Sequence, residues 1–245
     1  VLRSLVLACE SYNRERKDRL YEISMSAGYA TQKANSEDIN DIAKAADEHL
    51  RNRKLLNRNS VNNNIISSMM AMVNEKSQET EQHARRIFLY SKQVAEKIEL
   101  SQRDLGLLEL LSVLHDIGKV GIDGAILNKP GPLTPEEWQV MKTHPEIGYQ
   151  IAKSSSELEP IAPYILTHHE RWDGRGYPQG LAGEDIPLLS RILAIADAYD
   201  AMIEDRVYRK ALGREQALAE IKANAGTQFD PALAEIFVRI IEAGK

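Results

Sequence analysis

The sequence predicts a mainly α protein: a helical bundle preceded by a small α/β segment and a connecting helix. Three observations lead there. Apolar residues recur at helical spacing along most of the 245 residues. Short turns carrying glycine or proline separate those runs. Beyond Thr31 no alternating strand pattern occurs.

The elements follow in order. Leu2, Leu5, Val6 and Cys9 share a helical face, EISMSAGYAT from Glu22 to Thr31 reads as a short strand, and a helix runs on through Leu55. Ser36 is expected to cap that helix, with Asp38 adding negative charge in its first turn. From Val61 to about Leu100 the pattern is helical without glycine or proline, and Ile65, Met69 and Met72 form one apolar ridge beside Ile66, Met70 and Val73. That stretch is read as a connecting helix, paired with its twin in a homodimer. DLGLLELLSVLHDIG is apolar nearly all round, as a buried central helix is, and stops near Gly118. LTPEEWQVMKTH opens on Thr134 as N-cap, Pro135 at the first helical position and Glu137 placed for a capping box. Pro145 then breaks or bends the chain. IPLLSRILAIADAYDAM, GREQALAEIKANAG and PALAEIFVRIIEAG supply the remaining helices. The expected boundaries are 1–58, 59–78 for the connecting helix, and 79–245 for the bundle.

Composition narrows the function classes. The hydrophobic share of 43% supports a packed core, and a net charge of −5 argues against a general nucleic-acid coat or a membrane-surface protein, leaving small anionic substrates open. A single cysteine, Cys9, allows no internal disulfide and no cysteine-rich zinc site, in keeping with a cytoplasmic location. No apolar run reaches bilayer length. The chain begins with Val1 and is expected to have been cut from something longer, with any sensor or membrane region upstream.

Five of the six histidines lie between His83 and His169, each within or beside a predicted helix of the bundle; His49 sits on a polar helix and reads as solvated. His115-Asp116 end a helix of leucines, so an acid is carried to the margin of an apolar core, where an unpaired charge is costly. A buried salt bridge accounts for Asp116 alone; a metal pair bridged by the carboxylate, with the adjacent imidazole binding one ion, accounts for both residues. Lys119, four residues after His115, reads either as a surface lysine or as a cation beside an anionic substrate. His83 lies on the apolar side of its helix with Glu79 one turn earlier, a common way to present two ligands. Asp197 lies inside RILAIADAYDAM, where a buried aspartate needs a partner, and Asp200, one turn on, is expected to orient a ligand by hydrogen bond. With His144, His168 and His169, and no cysteine available, the set favours iron, manganese or a similar metal over structural zinc. His168-His169 deliver two imidazoles to one centre, and the glycine-rich, proline-stopped loop of Asp173 to Pro178 supplies backbone freedom and the wall facing substrate.

HDIGK, the run Asn128 to Thr134, THPEIGY, HHERWDGRGYPQGL, IADAYDAM and GTQFDP together resemble the HD-GYP family of metal-dependent phosphodiesterases, over roughly residues 79 to 240. The resemblance implies an all-helical HD-type bundle that opens cyclic di-GMP to pGpG and in many members on to GMP, by a hydroxide bridging two metals. It implies metal ligation by His83, His115, Asp116, His144, His168, His169 and Asp197, with Asp116 bridging. Glu79 matches the acid that lets some members hold a third ion. Two or three divalent ions, iron or manganese, are the implied cofactors. Lys119 would contact the scissile phosphate. Gly176, Tyr177 and Pro178 would line the nucleotide pocket, Asp200 is counted with the substrate-contacting set, and Arg206 and Arg209 would meet phosphate or guanine. Where many relatives carry Thr-Ser-Asp-Arg-Pro-Tyr, this chain has Ile203-Glu204-Asp205-Arg206-Val207-Tyr208, which leaves base preference less fixed than the metal site. Residues 1–58 resemble the C-terminal end of a GGDEF domain without the motif that names it, which implies ancestry and no cyclase activity. Two other readings compete: a cyclic di-GMP receptor with little turnover, and an HD hydrolase of another nucleotide such as cyclic GMP-AMP.

Overall fold

The computed structural model describes residues 11–12, 28–31, 38–56, 71, 81–204 and 210–244. The expected N-terminal helix face at Leu2–Cys9, Ser36, the connecting segment apart from Ala71, Glu79, Arg206, Arg209 and the side chain of His49 lie outside what is described. The chain divides into two compact units, Val1–Ser68 and Met69–Lys245.

In the first unit, helix α1 spans Ile39–Leu56. Just before it, Asp38 Oδ1 accepts the backbone N–H of Asn40 at 2.9 Å. Gly28 to Thr31, the described part of the expected strand, contains no strand, and among the described residues the fold class is helical throughout. A strand there would need a neighbour to take its backbone groups.

The second unit is a bundle. Helices α2 (Glu81–Lys97) and α3 (Gln102–Leu114) come first, followed by a 3-10 turn, η1 (Ile117–Gly121). Next are α4 (Gly124–Leu127), α5 (Pro135–Met141), α6 (His144–Lys153), a second 3-10 turn η2 (Glu159–Ile161) and α7 (Ala162–Thr167). After a third, η3 (Gly183–Asp185), come α8 (Leu188–Ile203), α9 (Arg214–Ala223) and α10 (Pro231–Ala243). The leucine-rich α3 is central, packing on α2, α7, α8 and η2. Its Leu108, Leu110, Leu111 and Leu114 are fully enclosed, which explains why it shows no polar face. Where α2, α8 and α10 meet, Tyr90, Tyr199 and Phe237 close an aromatic cluster with ring centroids 5.1 to 6.1 Å apart. Among the described residues no helix is long and apolar enough to cross a membrane.

Helix starts follow the sequence signals. Thr134 Oγ1 accepts from the Glu137 amide at 3.2 Å while Glu137 Oε2 accepts from the Thr134 amide at 2.7 Å, completing the capping box. Ser101 caps α3 and Asp230 caps α10. One close approach matters for the site: η1 lies against α6 through Gly118 and Gly148, and a Cβ on Gly118 would run into the backbone of both His144 and Gly148. The absence of a side chain here brings the segment carrying Asp116 onto the segment carrying His144.

Candidate metal centre

The histidines sit at helix ends, where the backbone turns side chains toward a common point. His115 is the C-cap of α3, Asp116 precedes η1, His144 opens α6, and His168 closes α7. His83 and Asp197 face inward from the flanks of α2 and α8. Residues spread over more than a hundred positions of sequence thereby form two donor sets. Asp116, His144, His168 and His169 each offer an atom within 4.8 Å of the others, and so do His83, His115 and Asp197. Donors around one ion with bonds of about 2.1 Å stand roughly 3 to 4 Å apart, so these sets are close to ligating geometry.

Asp116 connects them. Its Oδ1 lies 3.1 Å from His144 Nε2 and 3.8 Å from His168 Nε2, while its Oδ2 lies 3.2 Å from His115 Nε2. One carboxylate thus turns one oxygen to each donor set, the placement a bridging ligand needs.

Proton positions decide whether the residues suit cations. His144 Nδ1 meets the carbonyl of Met141 at 2.8 Å, and His168 Nδ1 meets that of Ile165 at 2.6 Å. A carbonyl only accepts, so each Nδ1 carries the hydrogen, and a neutral ring then presents a lone pair at Nε2. Those two Nε2 atoms are 3.4 Å apart and face Asp116 Oδ1, a buried oxygen with no hydrogen bond of its own among the described residues. Lone pairs converging on a carboxylate repel unless positive charge sits among them, so the donor chemistry fits a divalent ion. Burial pushes the His168 and His169 imidazoles below their usual range, and neighbouring histidines add to it, so both rings are neutral at pH 7 and available as ligands. Asp116 is pushed upward by burial, but the positive charge of Lys119 and the histidine contacts outweigh this and hold it well below the usual carboxylate range.

Lys119 reaches the site by 3-10 geometry. Residues three apart eclipse on such a turn, and Lys119 Nζ stands 2.8 Å from Asp116 Oδ2. It is half-buried, with its ammonium at the junction of the two donor sets.

Asp200 carried two expectations, an orienting hydrogen bond and a place in the substrate-contacting set, and its surroundings favour the first. Asp200, counted with the substrate-contacting set, is fully buried at 0% exposure. It sits behind His83, accepting the Nδ1 proton at 2.7 Å, and is gripped by Arg86 Nε at 2.6 Å and Nη2 at 2.9 Å. Burial raises its pKa, but hydrogen bonds from His83 and Arg86 prevail and hold it low, so it stays a carboxylate. The geometry supports the orienting role: Asp200 fixes the His83 tautomer with Nε2 turned inward, 3.4 Å from Asp197 Oδ1. Asp200→Asn is expected to weaken metal binding about 10- to 100-fold while leaving the other donor set intact, as read by metal titration of the apo protein. Unchanged affinity would remove this role from Asp200.

The loop after His169 also differs from expectation, being tied down where free backbone was anticipated. Glu170 is buried, and its Oε1 accepts the amides of Gln179 at 2.7 Å and Gly180 at 3.1 Å. The amide of Tyr177 donates to the His169 carbonyl at 3.3 Å, and Trp172 and Asp173 bond to Gln228 and Thr227. A Cβ on Gly176 would strike Glu170, so this glycine permits close approach of two backbone segments. The Tyr177-Pro178 bond is cis. The Tyr177 ring lies against His169, 4.9 Å between centroids, and burial pushes its phenol upward.

Arg86 and Glu170 were missed by sequence reasoning. Arg86 follows His83 by three positions and so lies on the same helical face, a signal that was available. Glu170, immediately after the histidine pair, carried none beyond its position.

Fold and site together define a helical protein with a candidate divalent-metal centre built from histidine and aspartate. The chain belongs to the HD domain family, whose model matches residues 67–233. Over 178 residues it is 39% identical to a cyclic di-GMP phosphodiesterase of Thermotoga maritima, covering 71% of this chain and 48% of that protein. Over 192 residues it is 43% identical to a cyclic di-GMP phosphodiesterase of Vibrio cholerae serotype O1, covering 72% of this chain and 39% of that one. The chain therefore spans about half or less of the length of the curated relatives it matches. Among solved structures, an HDG"Y"P protein from Bdellovibrio bacteriovorus shares the fold, with a TM-score of 0.55, 20% identity, and 86% of this chain and 75% of that chain covered.

Proposed function

We propose that this chain is the catalytic part of a metal-dependent phosphodiesterase of the HD-GYP type that hydrolyses cyclic di-GMP to pGpG and onward to GMP. The observation that carries the reading is the single buried carboxylate, Asp116, turned toward two sets of imidazole and carboxylate donors. The names of the relatives supply the substrate class.

In this reading His144, His168, His169 and Asp116 hold one ion, and His83, His115, Asp197 and Asp116 hold the other. Glu79 would add a ligand for a third. Such ions, iron or manganese, supply Lewis acidity toward the phosphoryl oxygens and activation of water. The residues do the rest. The carbonyls of Met141 and Ile165 and the carboxylate of Asp200 keep three imidazole protons on the outer nitrogens, so that the inner nitrogens turn their lone pairs toward the donor sets. Lys119 brings a fixed ammonium to the position where phosphate charge develops. Tyr177 and Pro178 wall the site on the His169 side, and Arg206 and Arg209 would take the phosphates or guanine. The domain scheme keeps residues 1–58 as the C-terminal part of a GGDEF-like domain, 59–78 as the connecting helix and pairing surface of a homodimer, and 79–245 as the hydrolase, in the cytoplasm.

The test is product analysis after incubating the chain, loaded anaerobically with manganese or ferrous iron, with cyclic di-GMP and cyclic GMP-AMP in parallel. Linear pGpG from cyclic di-GMP is expected. Cleavage of cyclic GMP-AMP alone would reassign the substrate, and binding of cyclic di-GMP without any linear product would make the chain a receptor.

A further inference from the structure

Helix α5, like the short α4 before it, has no buried residue. Its capping box, with Lys129, whose Nζ reaches Glu137 Oε2 at 2.5 Å, ties down its first turn. The helix so fixed presents Trp138, 45% exposed, with Val140, 42% exposed, two residues on. Leaving an indole in water forgoes one of the largest apolar burials a side chain can offer.

Its position gives the reason. The Trp138 ring stands 6.1 Å from that of Tyr177 at an interplanar angle of 79°, so the two rings form a right-angled corner. Tyr177 in turn lies 4.9 Å from His169, which belongs to the first donor set. Two ring-to-ring steps therefore lead from the candidate metal centre to a half-exposed indole. A nucleotide whose phosphate lies at the centre spans that interval with its ribose and brings its planar base to the corner. Base–aromatic stacking needs no hydrogen-bond match and works on any π-face.

We infer that Trp138 is the face on which a nucleobase of the substrate stacks, an inference that rests on the cyclic dinucleotide reading above. Tyr177 contributes the second wall of the corner. The residue sets affinity and base placement, while the reacting atoms stay with the groups already described.

The experiment pairs binding with turnover in the parent chain, Trp138→Ala and Trp138→Phe. The probe for binding is a non-hydrolysable phosphorothioate analogue of cyclic di-GMP, followed by calorimetry and by tryptophan fluorescence; the chain has two tryptophans, Trp138 and Trp172. Trp138→Ala is expected to weaken binding about tenfold or more and to raise KM for cyclic di-GMP with a smaller change in kcat. Trp138→Phe, which keeps an aromatic face, should retain most of the affinity and lose most of the fluorescence response. Melting temperatures should be alike, since α5 buries no residue. A parent that cleaves cyclic di-GMP alongside a Trp138→Ala variant with unchanged affinity and KM would overturn the stacking role and leave the proposed function standing. A parent that neither binds the analogue nor cleaves cyclic di-GMP would overturn both.

Discussion

Asp116→Ala is expected to lower metal-dependent phosphodiester hydrolysis by on the order of 10³-fold or more, with far-UV circular dichroism unchanged. The size of the effect follows from the shared carboxylate. Each other donor serves one set, whereas Asp116 turns Oδ1 to His144 and His168 and Oδ2 to His115 and Lys119. Its removal takes a charge from the junction of both donor sets, and two cations held there would lose the anion they share. Asp116→Asn separates charge from shape. The amide keeps the volume but loses the charge and points a donor where a ligand oxygen stood, so it should be nearly as inactive as alanine and bind less than two equivalents of metal by elemental analysis. Near-parental turnover in either variant would mean that the carboxylate does not bridge.

Stripping the metal should be the second large effect, visible in stability as well as in rate. Chelation is expected to abolish hydrolysis, and adding manganese or ferrous iron to restore it. The thermal signature comes from the lone pairs of His144 and His168 facing a carboxylate: without a cation these groups oppose one another in a buried space. An ion that binds only the folded chain stabilises it by about 2.7 kcal/mol at a hundred times its Kd. For a domain of this size that corresponds to a melting temperature about 5 to 10 °C higher. Differential scanning fluorimetry of the apo chain with and without each metal reads this directly. A melting temperature indifferent to every divalent ion tried would sink the metal reading, and in Asp116→Ala the shift should shrink even where the apo fold is intact.

Much of this architecture was readable residue by residue. Thr134, Pro135 and Glu137 announced the start of α5 because a capping box is a local device, complete within four residues. The leucines of α3 announced burial because no polar face was left over. The histidines and acids that the fold gathers stood out as spaced motifs, since such groups on apolar helices need partners wherever they occur. What escaped was set by distance along the chain. The grip of Arg86 on Asp200 spans 114 positions, and no local period encodes such a pairing. The loop of Asp173 to Pro178 looked free because its glycines are permissive; the carboxylate of Glu170 that binds it down became visible only with the fold.

The bare contact of Gly118 with Gly148 bears on how an ion would enter. With no methyl group to hold them apart, the turn that follows Asp116 and the helix that opens on His144, two candidate ligands, are locked together as the polypeptide folds. The entropy of assembling that half of the coordination cage is then settled before any metal arrives. Loading should resemble filling a rigid socket, fast and with little change in backbone hydrogen exchange along either segment.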